Sequence, residues 1–163
     1  MNDPMSNPFE ASADPDRHYI WRRLVEADSD AFVACDWSAV EGDFDAENFE
    51  GIRAYGSGNP DDWKVAFADL ASYRDNWLAA AREFKKKRFV GRSLREAIYQ
   101  RTHLTQIGIV GTRAVAHKKF SGDLPLEDGT MLSGDRQTLY RLHKQKGVWK
   151  IVGFIGYLPL EEK

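Results

Sequence analysis

Cysteine occurs once, at Cys35, so the chain can form no internal disulfide and has no thiolate-rich metal site. On an apolar helix that lone thiol reads as a packed, inert one. The four histidines show no HxxxH spacing and no close carboxylate partner in sequence, which argues against zinc or any other resident metal. There is no run of about 18 apolar residues to span a bilayer. The N-terminal stretch MNDPMSNPFEASADPD is acidic and broken by proline, unlike a secretory leader, so a cytoplasmic protein is expected. Charge of one sign is lacking too. With 23 Lys and Arg against 25 Asp and Glu, the net charge of −2 gives no field to draw nucleic acid or an anionic membrane. A Gly-x-Ser-x-Gly elbow and a Walker sequence are absent. Gly56-Ser57-Gly58 lacks the strand, helix and third glycine of a dinucleotide fingerprint, and no cofactor is expected.

Aromatic residues, by contrast, are plentiful: five Trp, six Tyr and nine Phe, more than caps and turns require, and enough for both a core and a ligand pocket. The 163 residues suit one domain that buries roughly 70% of its unfolded surface. Residues 1–13, polar and proline-broken, are expected as a flexible tail, and residues 14–163 as a single domain. Asp14 as N-cap and Pro15 at the first helical position start a helix predicted to run to about Trp37. Its buried stripe is Ile20, Leu24, Ala27, Ala31 and Ala34 or Cys35, widened by Trp21, Val25 and Phe32. His18, near that helix start, is expected in solvent. An acidic connector from Ser38 to Gly58 follows, with a short strand near residues 48–54. Asn59-Pro60 opens a short helix to about Ala68. Ser72 with Asp75 resembles a capping box for another helix, whose buried face is Tyr73, Trp77, Ala80 or Ala81, and Phe84, and whose end is the cationic run Lys85 to Arg88.

From Leu94 onward, β-branched and aromatic residues in alternation predict four antiparallel strands: Leu94–Ile109, Arg113–Phe120, Asp135–Gln145 and Val148–Leu158. Tight turns are expected at Gly111-Thr112 and Lys146-Gly147, and a mobile lid-like loop from Ser121 to Gly134. The fold class is therefore α+β, with N-terminal helices packed on a curved antiparallel sheet.

This order of elements, ending in Gly147-Val148-Trp149-Lys150-Ile151 after Gln137-Thr138-Leu139-Tyr140-Arg141-Leu142, resembles the nuclear transport factor 2-like superfamily. That superfamily includes SnoaL-like polyketide cyclases, ketosteroid isomerase and scytalone dehydratase. The resemblance covers residues 14–158 and implies a cone with an apolar pocket between sheet and helices. Its members range from isomerases to non-catalytic docking modules, so fold alone does not choose a function. By the resemblance, Asp43 falls near the basic aspartate of the isomerase, with Asp36 as the alternative. His103, His117, Tyr55 and Tyr73 imitate the histidine and tyrosine set of the dehydratase.

The chemistry open to such groups is metal-free proton transfer on a ligand carbon, with Asp43 or Asp36 as base and His103 or Tyr55 as hydrogen-bond donor to an enolate oxygen. Trp37, Trp63, Tyr73, Trp77, Tyr99, His117 and Tyr140 are the expected ligand-binding side chains for a small apolar or aromatic molecule. A two-residue Gly111-Thr112 turn puts His103 and His117 on opposite faces, and one bulge puts them on the same face. In the last hairpin Thr138, Tyr140, Leu142, Trp149, Ile151 and Ile155 group on one face, against Leu139, Arg141, His143, Val152 and Phe154 on the other. Apolar residues on both faces suggest a homodimer through the sheet. The alternative reading is a non-catalytic module that docks a partner on the sheet or on the Ser121 to Gly134 loop.

Overall fold

A computed structural model describes residues 5–160. Residues 1–4 of the expected tail, and residues 161–163, lie outside the described residues. Within the rest of that tail, Phe9 packs against the core and Asn7 Nδ2 donates to the His18 carbonyl at 3.0 Å. The His18 ring is half-buried rather than in solvent, 2.7 Å from the Phe9 carbonyl oxygen.

Asp14 caps helix α1 (Pro15–Trp21) by accepting from Arg17 N at 3.2 Å. The chain passes without a break through a π-helical stretch, Arg22–Ala27, into α2 (Asp28–Ala34). A π stretch takes more residues per turn than an α-helix, so side chains beyond it rotate away from a 3.6-residue stripe. Ser29 is accordingly buried, and Ala27 only half so. The helix ends three residues sooner than expected. Cys35 adopts a left-handed conformation at φ 54°, and Asp36 N returns to the Ala31 carbonyl, which closes the helix end.

The short strand in the connector is present as β1 (Glu50–Arg53). Pro60, however, opens a single 3-10 turn, Pro60–Asp62, and the expected helix is replaced by strand β2 (Lys64–Phe67), whose backbone pairs with β1. One turn of helix forms too few hydrogen bonds to compete with an open strand edge. Helix α3 (Leu70–Lys85) is capped by Asp69, which accepts from Ser72 N at 2.8 Å, so the cap lies three residues before the predicted Ser72.

The largest departure lies at residues 94–101, expected as strand and found as helix α4 (Leu94–Arg101). Ser93 Oγ accepts from Glu96 N at 3.1 Å while the Glu96 carboxylate accepts from Ser93 N at 2.8 Å. This reciprocal capping box stabilises a helix start by about 1 kcal/mol, and Leu94, Ala97, Ile98 and Arg101 then recur at three- and four-residue steps. What remains of the predicted strand is two short pieces, β3 (Thr102–His103) and β4 (Ile107–Val110).

Both pieces pair with β5 (Arg113–Phe120), which is followed by a small hairpin, β6 (Leu124–Pro125) and β7 (Met131–Leu132), and then by β8 (Arg136–Gln145) and β9 (Val148–Pro159). The main sheet runs β2-β1-β9-β8-β5-β3, with β4 also on β5. All its pairings are antiparallel except β1 with β9. Lys146 and Gly147, at φ 50° and 80°, form the two-residue turn whose twist matches the flanking strands. The Ser121 to Gly134 segment, expected as a mobile loop, holds the β6–β7 hairpin. Leu124 of that hairpin shares a small second core with Phe89 and Ala97.

The helices cover the face of the sheet that carries Ala114, Ala116, Tyr140, Leu142, Ile151 and Phe154. A register shift between Arg141 and Leu142 swaps the end of the last hairpin relative to simple alternation: Tyr140 pairs with Phe154, and Leu139 with Ile155. Phe154 is therefore a core residue and Ile155 lies on the outer face, the reverse of the predicted grouping. Closure of the sheet onto β1 depends on Gly153. A Cβ there would stand 2.6 Å from the Glu50 carbonyl oxygen and 2.9 Å from Arg141 Nη2. Gly153→Ala is expected to cost about 1–3 kcal/mol of stability, read as a lower urea midpoint; an unchanged midpoint would mean that β1 does not pack this tightly.

Candidate functional site

Between the open end of the sheet and helices α2, α3 and α4 lies a cavity of about 400 Å³. Its apolar wall is built from Phe32, Phe67, Trp77, Phe84 and Phe154, and its mouth is bordered by Leu132 of the β6–β7 hairpin. Three of the expected ligand-binding residues, Tyr73, Trp77 and Tyr140, line it. Burial pushes the Tyr73 and Tyr140 phenols well above their ordinary pKa. Both are neutral near pH 7, and their hydroxyls are hydrogen-bond partners of one another, which leaves one of the two protons for the cavity.

The other expected residues lie elsewhere. Trp37 is buried in an aromatic cluster, stacked on Phe44 at 5.2 Å and edge-on to Trp77 at 5.3 Å. Trp63 donates its Nε1 proton to the Ser57 carbonyl at 2.9 Å, away from the cavity. Tyr99 is buried between α4 and the first helix, its hydroxyl near the Glu26 carbonyl and Asp30. Burial raises its phenol to about 12.

Of the four residues expected to carry proton transfer, none is among those lining the cavity. The connector folds as two 3-10 turns, and the second one turns Asp43 toward the first helix, where Arg23 Nε bonds it at 2.7 Å. Asp43 is buried, and desolvation raises its carboxyl pKa against the opposing pull of Arg23. Asp36 is exposed and accepts from Ser38 Oγ at 2.5 Å. Tyr55 is 59% exposed, at φ 53°. His103 pairs with Lys119, one residue out of step with the Ile107 to Ala116 register, so it shares a face with His117. That face is the outer one, since Ala114, Ala116 and Lys118 point inward.

In their place the fold brings in groups that the sequence reading passed over. Lys118 is fully buried, and its Nζ bonds Asp28 Oδ2 at 2.8 Å. Asp28, the first residue after the π stretch, also accepts from Trp77 Nε1 at 3.2 Å. The ammonium lies 6.0 Å from the centre of the Tyr140 ring. Arg101 is buried at the end of α4, donating Nε and Nη2 to the carbonyls of Gly122 and Gly134, each at 2.9 Å. Tyr157 takes φ 61° where the β8–β9 register shifts between Gln137 and Leu139. A left-handed tyrosine costs roughly 1–3 kcal/mol, and this one lines the cavity. One signal was legible: Lys118 continues the alternation Ala114, Ala116, Lys118, Phe120 along β5, which marks it as inward-facing.

No family model and no curated protein matches this chain. Solved structures do. A nuclear transport factor 2-like protein of unknown function from Shewanella baltica aligns at TM-score 0.53 and 15% identity, over 89% of this chain and 94% of its own. A nuclear transport factor 2-like superfamily protein from Salmonella enterica aligns at 0.54 and 14%, over 89% and 92%. The fold is that of the nuclear transport factor 2-like proteins. The same fold includes the association domain of C. elegans CaMKII, at TM-score 0.52 and 13% identity over 91% and 99% of the two chains.

The cavity of this nuclear transport factor 2-like fold carries the Lys118–Asp28 charge pair at its inner wall, and removing either partner has different consequences. Asp28→Ala strands a fully buried ammonium and is expected to cost about 3 kcal/mol or more, whereas Lys118→Met leaves a carboxylate whose side chain is 27% exposed and which keeps its bond from Trp77 Nε1, and is expected to cost less. Urea denaturation of both variants measures this. Equal losses would show that Asp28 does not stabilise Lys118 in its buried place.

Proposed function

We propose that this chain binds a small apolar or aromatic molecule in the cavity between the sheet and α2, α3 and α4. The reading is carried by one observation: a space of about 400 Å³ walled by aromatic rings with a few convergent polar groups. Ligand sites combine these features, and their polar groups fix orientation while their apolar walls supply affinity. The chemistry available to a bound ligand is metal-free proton transfer. Asp28 takes the role of base that sequence reasoning placed on Asp43, and the hydrogen-bonded pair of neutral phenols, Tyr73 and Tyr140, takes the role of donor to a developing oxyanion. The neutral fluorophore N-phenyl-1-naphthylamine tests the site without knowledge of the natural ligand. It should bind saturably, and Ala80→Trp, which fills the mouth from an exposed helix position, should weaken it about tenfold or more. No binding to the native chain, or equal binding to the variant, would sink the reading.

The outer face of the sheet supports a homodimer. His117, Leu139 and Ile155 form one row across β5, β8 and β9, beside Val115, which is 38% exposed. This mostly apolar row is surrounded on the same face by Arg113, Lys119 and Arg141, an apolar centre within a charged rim. Sedimentation should give a mass near twice 18.6 kDa for the native chain, and Leu139→Glu should shift it to the monomer. A native monomer would remove the dimer and favour docking of a different partner on this face.

A further inference from the structure

The charges around the cavity do not cancel. Four cations, Lys87, Arg101, Lys118 and Arg136, and two carboxylates, Asp28 and Glu83, line it. Asp28 is matched by Lys118, and Glu83 bonds Lys86, which is not among the lining residues, at 2.9 Å. Among the described residues neither Arg101 nor Arg136 has a carboxylate within ion-pair distance.

The two guanidiniums are nonetheless held in place. Arg136 pairs across the strands with Phe120, and its guanidinium carbon lies 5.5 Å from the Phe120 ring centre and 4.9 Å from that of Tyr157. The strained backbone at Tyr157 and the register shift beside it are what bring that ring under the arginine. Arg101 is anchored by two backbone carbonyls, which leaves Nη1 without a protein hydrogen bond among the described residues. Burial and the nearby Arg136 charge lower the Arg101 pKa, against the opposing pull of the Asp135 and Asp123 carboxylates. Two like charges fixed beside an aromatic cavity, neither of them in an ion pair among the described residues, are poised for an anion.

We infer that the cavity takes an organic anion, with its apolar or aromatic body over Phe32, Trp77 and Phe154 and one carboxylate or sulfonate group at Arg136 and Arg101. This rests on the cavity being a ligand site and specifies the chemical class of its ligand. An apolar body alone gives affinity without direction. The guanidinium fork at the rim orients the molecule so that its far end reaches Asp28, Tyr73 and Tyr140.

The test compares two fluorophores that differ by one sulfonate: 8-anilinonaphthalene-1-sulfonate and the neutral N-phenyl-1-naphthylamine. On the native chain the sulfonate should bind about tenfold or more tightly than the neutral probe at low salt, a gap that added salt narrows. Arg136→Gln should weaken the sulfonate about tenfold and leave the neutral probe unchanged, and Arg136→Lys should restore most of the loss. Ala80→Trp should weaken both probes. Equal affinity of the two probes for the native chain, or a sulfonate affinity indifferent to Arg136→Gln, overturns the anion inference while the cavity reading stands. If neither probe binds the native chain, or Ala80→Trp affects neither, the cavity reading fails and the anion inference with it.

Discussion

The contact between Lys118 and Asp28 is the constraint around which the open end of this fold is arranged. An ammonium that is fully buried needs a counter-charge at hydrogen-bond distance, because the desolvation of an unpaired cation costs several kcal/mol. Lys118 is placed inside the sheet by strand alternation, so the requirement falls on the helix above it. The π stretch Arg22–Ala27 is followed directly by Asp28, whose carboxylate reaches down to the lysine and also accepts from Trp77 on α3. One carboxylate thus joins the first helix, the third helix and the middle of the sheet.

On either side of that contact the same aromatic chemistry has two outcomes. Toward the connector, Trp37, Phe44 and Phe49 interlock with one another and with the back of the cavity-lining rings Phe67, Tyr73 and Phe154, with ring centres between 4.9 and 6.1 Å apart. Toward the hairpin the rings of Phe32, Trp77 and Phe84 form a wall with space in front of it. The difference comes from the elements that carry them. The connector's 3-10 turns bring Trp37 and Phe44 inward, while the β6–β7 hairpin docks on α4 through its own small core and stays at the rim.

Two irregularities in the last hairpin determine which chemistry faces the space. The shift at Arg141 and Leu142 turns Phe154 inward and Ile155 outward, and the shift near Leu139 carries Tyr157 to the cavity in a left-handed conformation. Local strain of this kind persists only where surrounding structure holds it, and here it is held beside the proposed anion site. The rim arginines, the phenols and the Asp28 pair therefore converge from five separate segments of chain.

Much of this was readable from residue order. Proline and aspartate marked the first helix start, Gly147 the last turn, and β-branched alternation the strands β5, β8 and β9, because each depends on local backbone preference and on a period that neighbours in sequence reveal. The same local logic, applied to Ser93 and Glu96, would have revealed α4, which the apolar run beyond it obscured. Three members of the aromatic lining, Tyr73, Trp77 and Tyr140, were also anticipated. The identity of the acid in the cavity was not. Asp43 and Asp28 each lie among other acidic residues in sequence, and only the π stretch and the packing of the connector on Arg23 decide which one faces the cavity. Strand register likewise depends on bulges that shift pairing by one residue with no fixed sequence signature, so the faces of Ile155, Phe154 and His103 were settled by tertiary contacts alone.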